Sequence, residues 1–303
     1  MQKKLNFIKK NLFSIKYILE WTVKTFYKSD IFYGHGTNNA RDEALQIILP
    51  SLLLPINSSK KILNYQLSYK EKNMIINKIK KRIRNRIPAP YLTHKSWLSG
   101  VEFYIDKRVI IPRSPIGELI VDNIRGLINF YPKNILDLCT GSGCLAIISA
   151  KQYPKADIDA SDYSIEALHV AKINIKKHNL ENRIKLIKSN LFNNLSSKKK
   201  YDLIITNPPY VKRKSIYQLP KEFLYEPKIG LIGGEDGLKY IRKILNSAYH
   251  FLSENGFLIC EVGHNMENLI RQYRNTDFFW PDCIDDAIGV FVLTKKSLKK
   301  IIT

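Results

Sequence analysis

From residue 134 onward the chain alternates short apolar runs with longer amphipathic ones: NILDLC, CLAIISAKQY, ADIDAS, SIEALHVAKINIKKHN, IKLIKSN, YDLIITN, DGLKYIRKILNSAYHFL, GFLICEVG. The short runs are Ile- and Leu-rich and too brief for helices, whereas the longer ones repeat apolar residues three and four apart. Strands joined by helices run parallel, and a parallel sheet needs helices over both faces. This alternation predicts an α/β fold with a doubly wound, mostly parallel sheet over residues 116–303, and VFVLTKK supplies a final strand. No internal repeat is visible.

The first part of the chain follows another grammar. LNFIKKNLFSIKYILEWTVKTFY, ARDEALQIILPSLLLP and YKEKNMIINKIKKRIRNRI read as helices, the last stopping before Pro88, so residues 1–95 are expected to form a small helical domain. WLSGVEFYIDKRVII alternates around IDKR at 105–108, which predicts a β-hairpin within a linking segment, 96–115. Lys9, Lys10 and Lys16 interrupt every apolar run near the start, so the opening reads as an amphipathic helix and no membrane partner is expected. Cys139, Cys144, Cys260 and Cys283 include no C-x-x-C pair, which suits free thiols, a reducing cytoplasmic compartment and no metal site.

The net charge is +22, with 19 Lys or Arg against 5 Asp or Glu in residues 1–100 and 30 against 22 in the remainder. Compositional drift accounts for this excess as well as phosphate binding does, because Lys, Ile and Asn are abundant throughout. The run SSKKK at 196–200 reads as a solvated loop.

DLCTGSGC at 137–144 closes the first strand of the sheet and opens its first helix. Gly141 and Gly143 permit positive φ and close approach of a ligand to the backbone, and with Ala146 they fit a dinucleotide fingerprint whose ribose acceptor would be Asp162. Alone, such a loop could hold a pyrophosphate or S-adenosylmethionine, or be a plain tight turn. Asp137 shifts the balance, because a carboxylate there repels a pyrophosphate but suits the cationic methionine portion of S-adenosylmethionine. The competing reading is that Asp137 caps donors of its own loop.

Directly after YDLII stands TNPPY, residues 206–210. Two adjacent prolines remove two backbone donors and fix two φ angles, leaving a stiff segment with free carbonyls. An amide or aniline-like nitrogen is a poor nucleophile because its lone pair is delocalised. Accepting its two hydrogens returns density to nitrogen, a task suited to the Asn207 side-chain oxygen and the Pro208 carbonyl, with Tyr210 packing the planar group. The proton can leave to solvent, so none of the six histidines is needed.

With both motifs in hand, the chain resembles the class I S-adenosylmethionine-dependent methyltransferases of the glutamine-amide (N5) subgroup. FYGHGTNNARDEAL at 32–45, FYIDKRVIIPRSPIGELI at 103–120 and NPPYVKRKSIYQLPKEFLYEPKIGLIGGEDGL at 207–238 make it similar to the branch acting on large-subunit ribosomal protein L-three. The release-factor branch usually reads PRPET where this chain has PRSPI at 112–116. The resemblance implies a seven-stranded methyltransferase sheet and methyl transfer to a glutamine side-chain amide of that ribosomal protein, before or during ribosome assembly. Carried onto matching positions, it implies a cofactor loop of Cys139, Thr140, Gly141, Ser142 and Gly143, a ribose acceptor Asp162, and an adenine site of Asn190, Leu191 and Phe192. The methyl-acceptor site is Asn207, Pro208, Pro209 and Tyr210. Asn190 stands where the family usually has Asp, which leaves a neutral acceptor for the adenine amine.

On this resemblance the helical domain, 1–95, with the hairpin is the substrate-recognition element, and Arg113 and Glu118, near its junction, read either as substrate-selecting groups or as salt-bridged surface. Because ribosomal proteins are basic, docking calls for an acidic patch (Glu235, Asp236, Asp282, Asp285, Asp286) or for RNA as a bridge. Other readings are a release-factor methyltransferase, an adenine or cytosine amino methyltransferase of nucleic acid, and a non-catalytic assembly factor.

Overall fold

The computed structural model describes residues 13–128, 130–282 and 289–302. The chain divides into two compact units, one of Met1–Ser96 with Pro220–Tyr225, the other of Trp97–Leu219 with Glu226–Thr303. No helix among the described residues is long and apolar enough to cross a membrane.

The first unit is helical. Helix α1 (Ile15–Tyr27) starts at Ser14, whose side chain accepts from the Tyr17 amide, and buries Ile15, Ile18, Leu19, Thr22 and Phe26 along one stripe. The part of the expected first helix that falls within residues 1–12 lies outside the described residues. Helix α2 (Ala40–Ser51) is capped by Asn39, and α3 (Tyr69–Asn85) by a reciprocal box between Ser68 and Glu71. Arg86, at φ 61°, ends α3 ahead of Pro88, and the short α4 (Ala89–Thr93) follows. Apolar side chains from the first three helices form one core, with Ile47, Ile48, Ile75 and Ile79 fully buried.

Arg82, only 1% exposed, lies at the edge of this core. It donates to Glu43 (2.6 Å), Glu222 (2.9 Å) and the Phe32 carbonyl (2.7 Å). Glu222 also accepts from Arg86 (2.7 Å) and the Phe32 amide (3.0 Å). Burial pushes the Glu222 carboxyl up, but these donors outweigh it and hold it at about 2.

A two-stranded sheet, β1 (Lys95–Leu98) and β2 (Val101–Tyr104), stands where the chain passes between units. Its turn is Ser99–Gly100, both in the left-handed region (φ 47° and 75°), as a two-residue hairpin requires. The turn expected at 105–108 is a separate feature, in which Asp106 accepts from the Arg108 amide and guanidinium. In the second unit, buried Asn174 pairs with both backbone groups of Tyr104 (2.7 and 3.0 Å) and donates to the Ser142 carbonyl (2.9 Å).

The remaining elements are α5 (Ile116–Val121), β3 (Asn134–Leu138), α6 (Cys144–Gln152), β4 (Asp157–Asp162), α7 (Ile165–Lys177), β5 (Ile184–Lys188) and β6 (Tyr201–Thr206). Then come α8 (Lys239–Phe251), β7 (Leu252–Glu261), α9 (Met266–Gln272), β8 (Val290–Thr294) and α10 (Lys295–Ile302). The sheet order is β5-β4-β3-β6-β7-β8, parallel except for β7 with β8. This is the expected doubly wound α/β sheet, with six strands among the described residues where seven were expected. At the outer edge a single antiparallel bridge, Phe279 to Val292, stands in the place of a further strand.

The pleat sorts the core. Leu136 and Leu138 face a cluster with Ile241, Ile244 and Leu245 of α8 and Leu298 of α10. Asp137, between them, points to the opposite face, where α6 begins.

Candidate active site

The strand register brings three loops to one level. Leu138 pairs with Ser161 on one side and Thr206 on the other, so the residues that follow, Cys139, Asp162 and Asn207, emerge side by side at the carboxyl ends of β3, β4 and β6. In an open parallel sheet that edge, where the winding reverses, is where ligands bind. Here it carries a cavity of about 300 Å³, with walls from the loops after β3, β4, β5 and β6 and from Arg108, Lys239 and Lys243.

Asp137 is buried at the base of the glycine loop. Its Oδ2 accepts from the Thr140 hydroxyl (2.5 Å) and from the Ala146 amide (3.0 Å) in the first turn of α6. Its Oδ1 is buried with no partner among the described residues. The loop-capping reading of this residue is thus met by one oxygen, and the other is left as a buried acceptor. Burial raises the carboxyl to about 7 despite those two donors.

Cys139 and Gly141 face the cavity. Thr140 and Ser142 are buried and serve the loop itself, and Gly143 rests on Ala171 of α7. Gly141 has φ 55°, and a Cβ built there meets nothing within 4 Å, so its open side is room for a ligand. Cys139, Cys144 and Cys260 are free, and burial pushes their thiols upward, Cys144 to about 12. Cys283, the fourth cysteine, lies outside the described residues.

Asp162 lines the cavity and ties two loops together. Its Oδ2 accepts from the Gly141 amide (2.9 Å) and its Oδ1 from the Ser164 amide (2.8 Å), while Ser164 caps α7 through Ala167. Burial raises its pKa, and these backbone donors oppose the rise. Each oxygen keeps a lone pair for a further donor.

Asn190 and Leu191 form the wall after β5. Leu191 has φ 51°, held by the Ser189 hydroxyl on its carbonyl (2.6 Å). Phe192 is not brought to the cavity; it is 5% exposed and stacks on Phe251 in the α8 core, ring centroids 4.7 Å apart. After the left-handed residue the chain turns inward, and an apolar ring follows it.

Asn207 and Pro209 face the cavity, while Pro208 is buried and its carbonyl has no partner among the described residues. Tyr210 was expected to wall the acceptor, yet it does not line the cavity. Its hydroxyl donates to Glu261 Oε1 (2.7 Å), and Glu261 Oε2 accepts from the Ser114 hydroxyl (2.5 Å). Burial raises the pKa of both Tyr210 and Glu261. The Tyr210 carbonyl accepts from Asn265 (2.8 Å).

Residues 231–234 clamp the loop. The Val211 amide donates to the Leu231 carbonyl and the Gly233 amide to the Val211 carbonyl, each at 2.8 Å. A Cβ on Gly233 would lie 2.5 Å from the Pro209 carbonyl oxygen, so only glycine permits that approach. Arg113 forms a two-pronged pair with buried Glu226 (2.6 and 2.8 Å), and the Ile111 amide joins it (2.8 Å). Arg113 is thereby committed within the fold; Glu118 sits partly buried in α5. Glu226, Glu261, Ser114, Asn265, Lys239 and Lys243 were not singled out from sequence.

Of the expected acidic patch, Glu235 pairs with Arg213 and Asp236 with Arg242 (2.7 and 2.6 Å). The Arg242 hydrogen bond lowers Asp236 to about 2. Asp282 is exposed, and Asp285 and Asp286 lie outside the described residues.

Residues 118–268 match the family model of the methyltransferase small domain. Over 289 residues the chain is 45% identical to the ribosomal protein uL3 glutamine methyltransferase of Neisseria meningitidis serogroup A, covering 95% of each. Its identity to the protein of that name from Neisseria gonorrhoeae is also 45%, over 95% of this chain and 96% of that one. Among solved structures, the catalytic domain of hMettl16 in complex with a MAT2A 3′UTR hairpin shares the fold, with TM-score 0.52 and 15% identity over 75% of this chain and 81% of that one.

Proposed function

The chain belongs to the family of ribosomal protein uL3 glutamine methyltransferases, and from that membership we infer that it transfers a methyl group to the side-chain amide nitrogen of a glutamine in ribosomal protein uL3. When bound, S-adenosylmethionine supplies an electrophilic methyl on a sulfonium. The residues present fit that cofactor. Asp137 Oδ1 is a buried acceptor in need of a donor, Gly141 leaves open space beside it, and Asp162 has lone pairs for ribose hydroxyls. Asn190 is the neutral acceptor for the adenine amine, and Leu191 its apolar neighbour.

One observation carries the acceptor half: Asn207 and Pro209 share a cavity with Asp162 and Gly141. The Asn207 side-chain oxygen and the Pro208 carbonyl accept the two amide hydrogens, returning electron density to nitrogen, and the displaced proton leaves to solvent. Tyr210, fixed by Glu261, holds the loop from behind. This reading carries the enzyme to the cytoplasm, where ribosomal proteins are made.

The test is methyl transfer from labelled cofactor to uL3, release factor and duplex DNA, with wild type and Asn207→Ala. We expect label on uL3, and a loss of roughly 100- to 1,000-fold in kcat for the variant with unchanged cofactor affinity. Intact turnover by Asn207→Ala overturns the cradle mechanism. Preferential labelling of release factor or DNA overturns the substrate.

A further inference from the structure

We propose that the outward face of α3 is an RNA-binding surface, by which the enzyme holds ribosomal RNA while acting on its protein substrate. One turn of an α-helix takes 3.6 residues, and on that period Lys70, Asn73, Asn77, Lys80, Lys81 and Arg84 fall on one face, opposite the buried Ile75, Ile79 and Arg82. The four cations are exposed and form no ion pair with any described residue. From Lys70 to Arg84 the row extends roughly 21 Å, long enough to follow several phosphates of one strand.

What sets this face apart is where the nearby carboxylates go. Glu71, the only acid in α3, is drawn back to cap Ser68. Glu43 and Glu222 are buried on Arg82, Glu222 also on Arg86, and Asp42 is engaged by Asn39. Lys78, off the row, is turned inward to Ser51. Of the unit's other acids, Glu20 lies on α1 and exposed Asp30 reaches Arg86 just past the end of α3, so the outward row of α3 itself carries only cations and neutral amides, the donor set that phosphate and sugar oxygens take.

A membrane surface does not suit this helix, because interfacial helices put an apolar face toward lipid, and the apolar face of α3 is buried in the unit's core. An acidic protein would suit the charge. RNA is preferred because the choice rests on the proposed function: a ribosomal protein that binds ribosomal RNA brings that polyanion with it.

The experiment uses the full chain and a fluorescein-labelled RNA hairpin with single-stranded flanks, read by anisotropy across a salt series. A polyaspartate peptide and phosphatidylserine vesicles serve as comparison ligands. Lys70→Gln, Lys80→Gln, Lys81→Gln and Arg84→Gln are combined in one variant. A control variant removes the same charge from the second unit (Lys155→Gln, Lys172→Gln, Lys176→Gln, Lys185→Gln). We expect wild type to bind RNA with a steep salt dependence, and the α3 variant to weaken it roughly 100-fold and to flatten the slope by about 3. The control should stay near wild type.

Equal weakening by both variants, RNA binding unchanged in the α3 variant, or tighter binding of polyaspartate or vesicles than of RNA would each overturn the proposal. Unaltered circular dichroism of the variants excludes unfolding as the cause. Methylation of free uL3 is assayed in parallel. Wild type that binds RNA but leaves uL3 unmodified sinks the substrate reading alone, and active enzyme whose α3 variant still binds RNA sinks this one alone.

Discussion

Asp137 gives one oxygen to the fold and leaves the other buried without a partner among the described residues, and on the proposed function its raised pKa turns that division into a pH dependence. A carboxyl held at about 7 is mostly neutral below that pH, so a cationic cofactor must meet it ionised. Cofactor affinity measured by calorimetry should therefore rise with pH up to about 7 and then level off, and Asp137→Asn should flatten the curve and lower the plateau. Asn190→Asp should tighten the cofactor a few-fold, since a charge-assisted bond replaces a neutral one. Equal dissociation constants would deny Asn190 contact with the adenine amine. Glu261→Gln should lower kcat about tenfold or more with cofactor affinity unchanged, because it loosens Tyr210 behind the acceptor loop.

At the scale of elements, the loop after β6 is shaped by a segment more than twenty residues downstream. Gly233→Ala drives a methyl group into the Pro209 carbonyl, so activity should drop at least tenfold while the far-ultraviolet spectrum stays native. In the helical unit, Arg82→Met removes the buried guanidinium that Glu43 and Glu222 share, leaving Glu222 to Arg86 and Glu43 to Thr37, and should cost about 3 kcal/mol in thermal or urea unfolding of that unit. Glu222 titrates low in the fold, so its contribution is present above the ordinary carboxylate range and lost as pH falls through about 2. The mutant's deficit should accordingly shrink in acid.

The strand and helix alternation was legible because period and length are local properties of the chain, and so were the Ser164 cap and the Cys139, Asp162 and Asn207 strand ends. The Ser99–Gly100 turn was missed because its flanking alternation continues past it to Tyr104. Glu226 and Glu261 were illegible for another reason: their partners, Arg113 and Ser114, lie more than a hundred residues away. The anchoring of Tyr210 was illegible for the same reason, since the carboxylate that holds its hydroxyl lies on β7, 51 residues downstream.

Over the whole molecule, the first unit is not one continuous stretch of sequence. Residues 220–225 leave the sheet-containing unit and fold with the helices, and they bring Glu222 to Arg82 and Arg86. The helices therefore cannot be inherited, cloned or grafted as an N-terminal cassette. A fragment that stops at residue 96 lacks Glu222, one of the two carboxylates that meet its own buried guanidinium, and should gain helicity when a synthetic peptide covering 218–227 is added. Chimaeras that exchange this unit between relatives would need three crossovers rather than one, the second and third flanking residues 220–225.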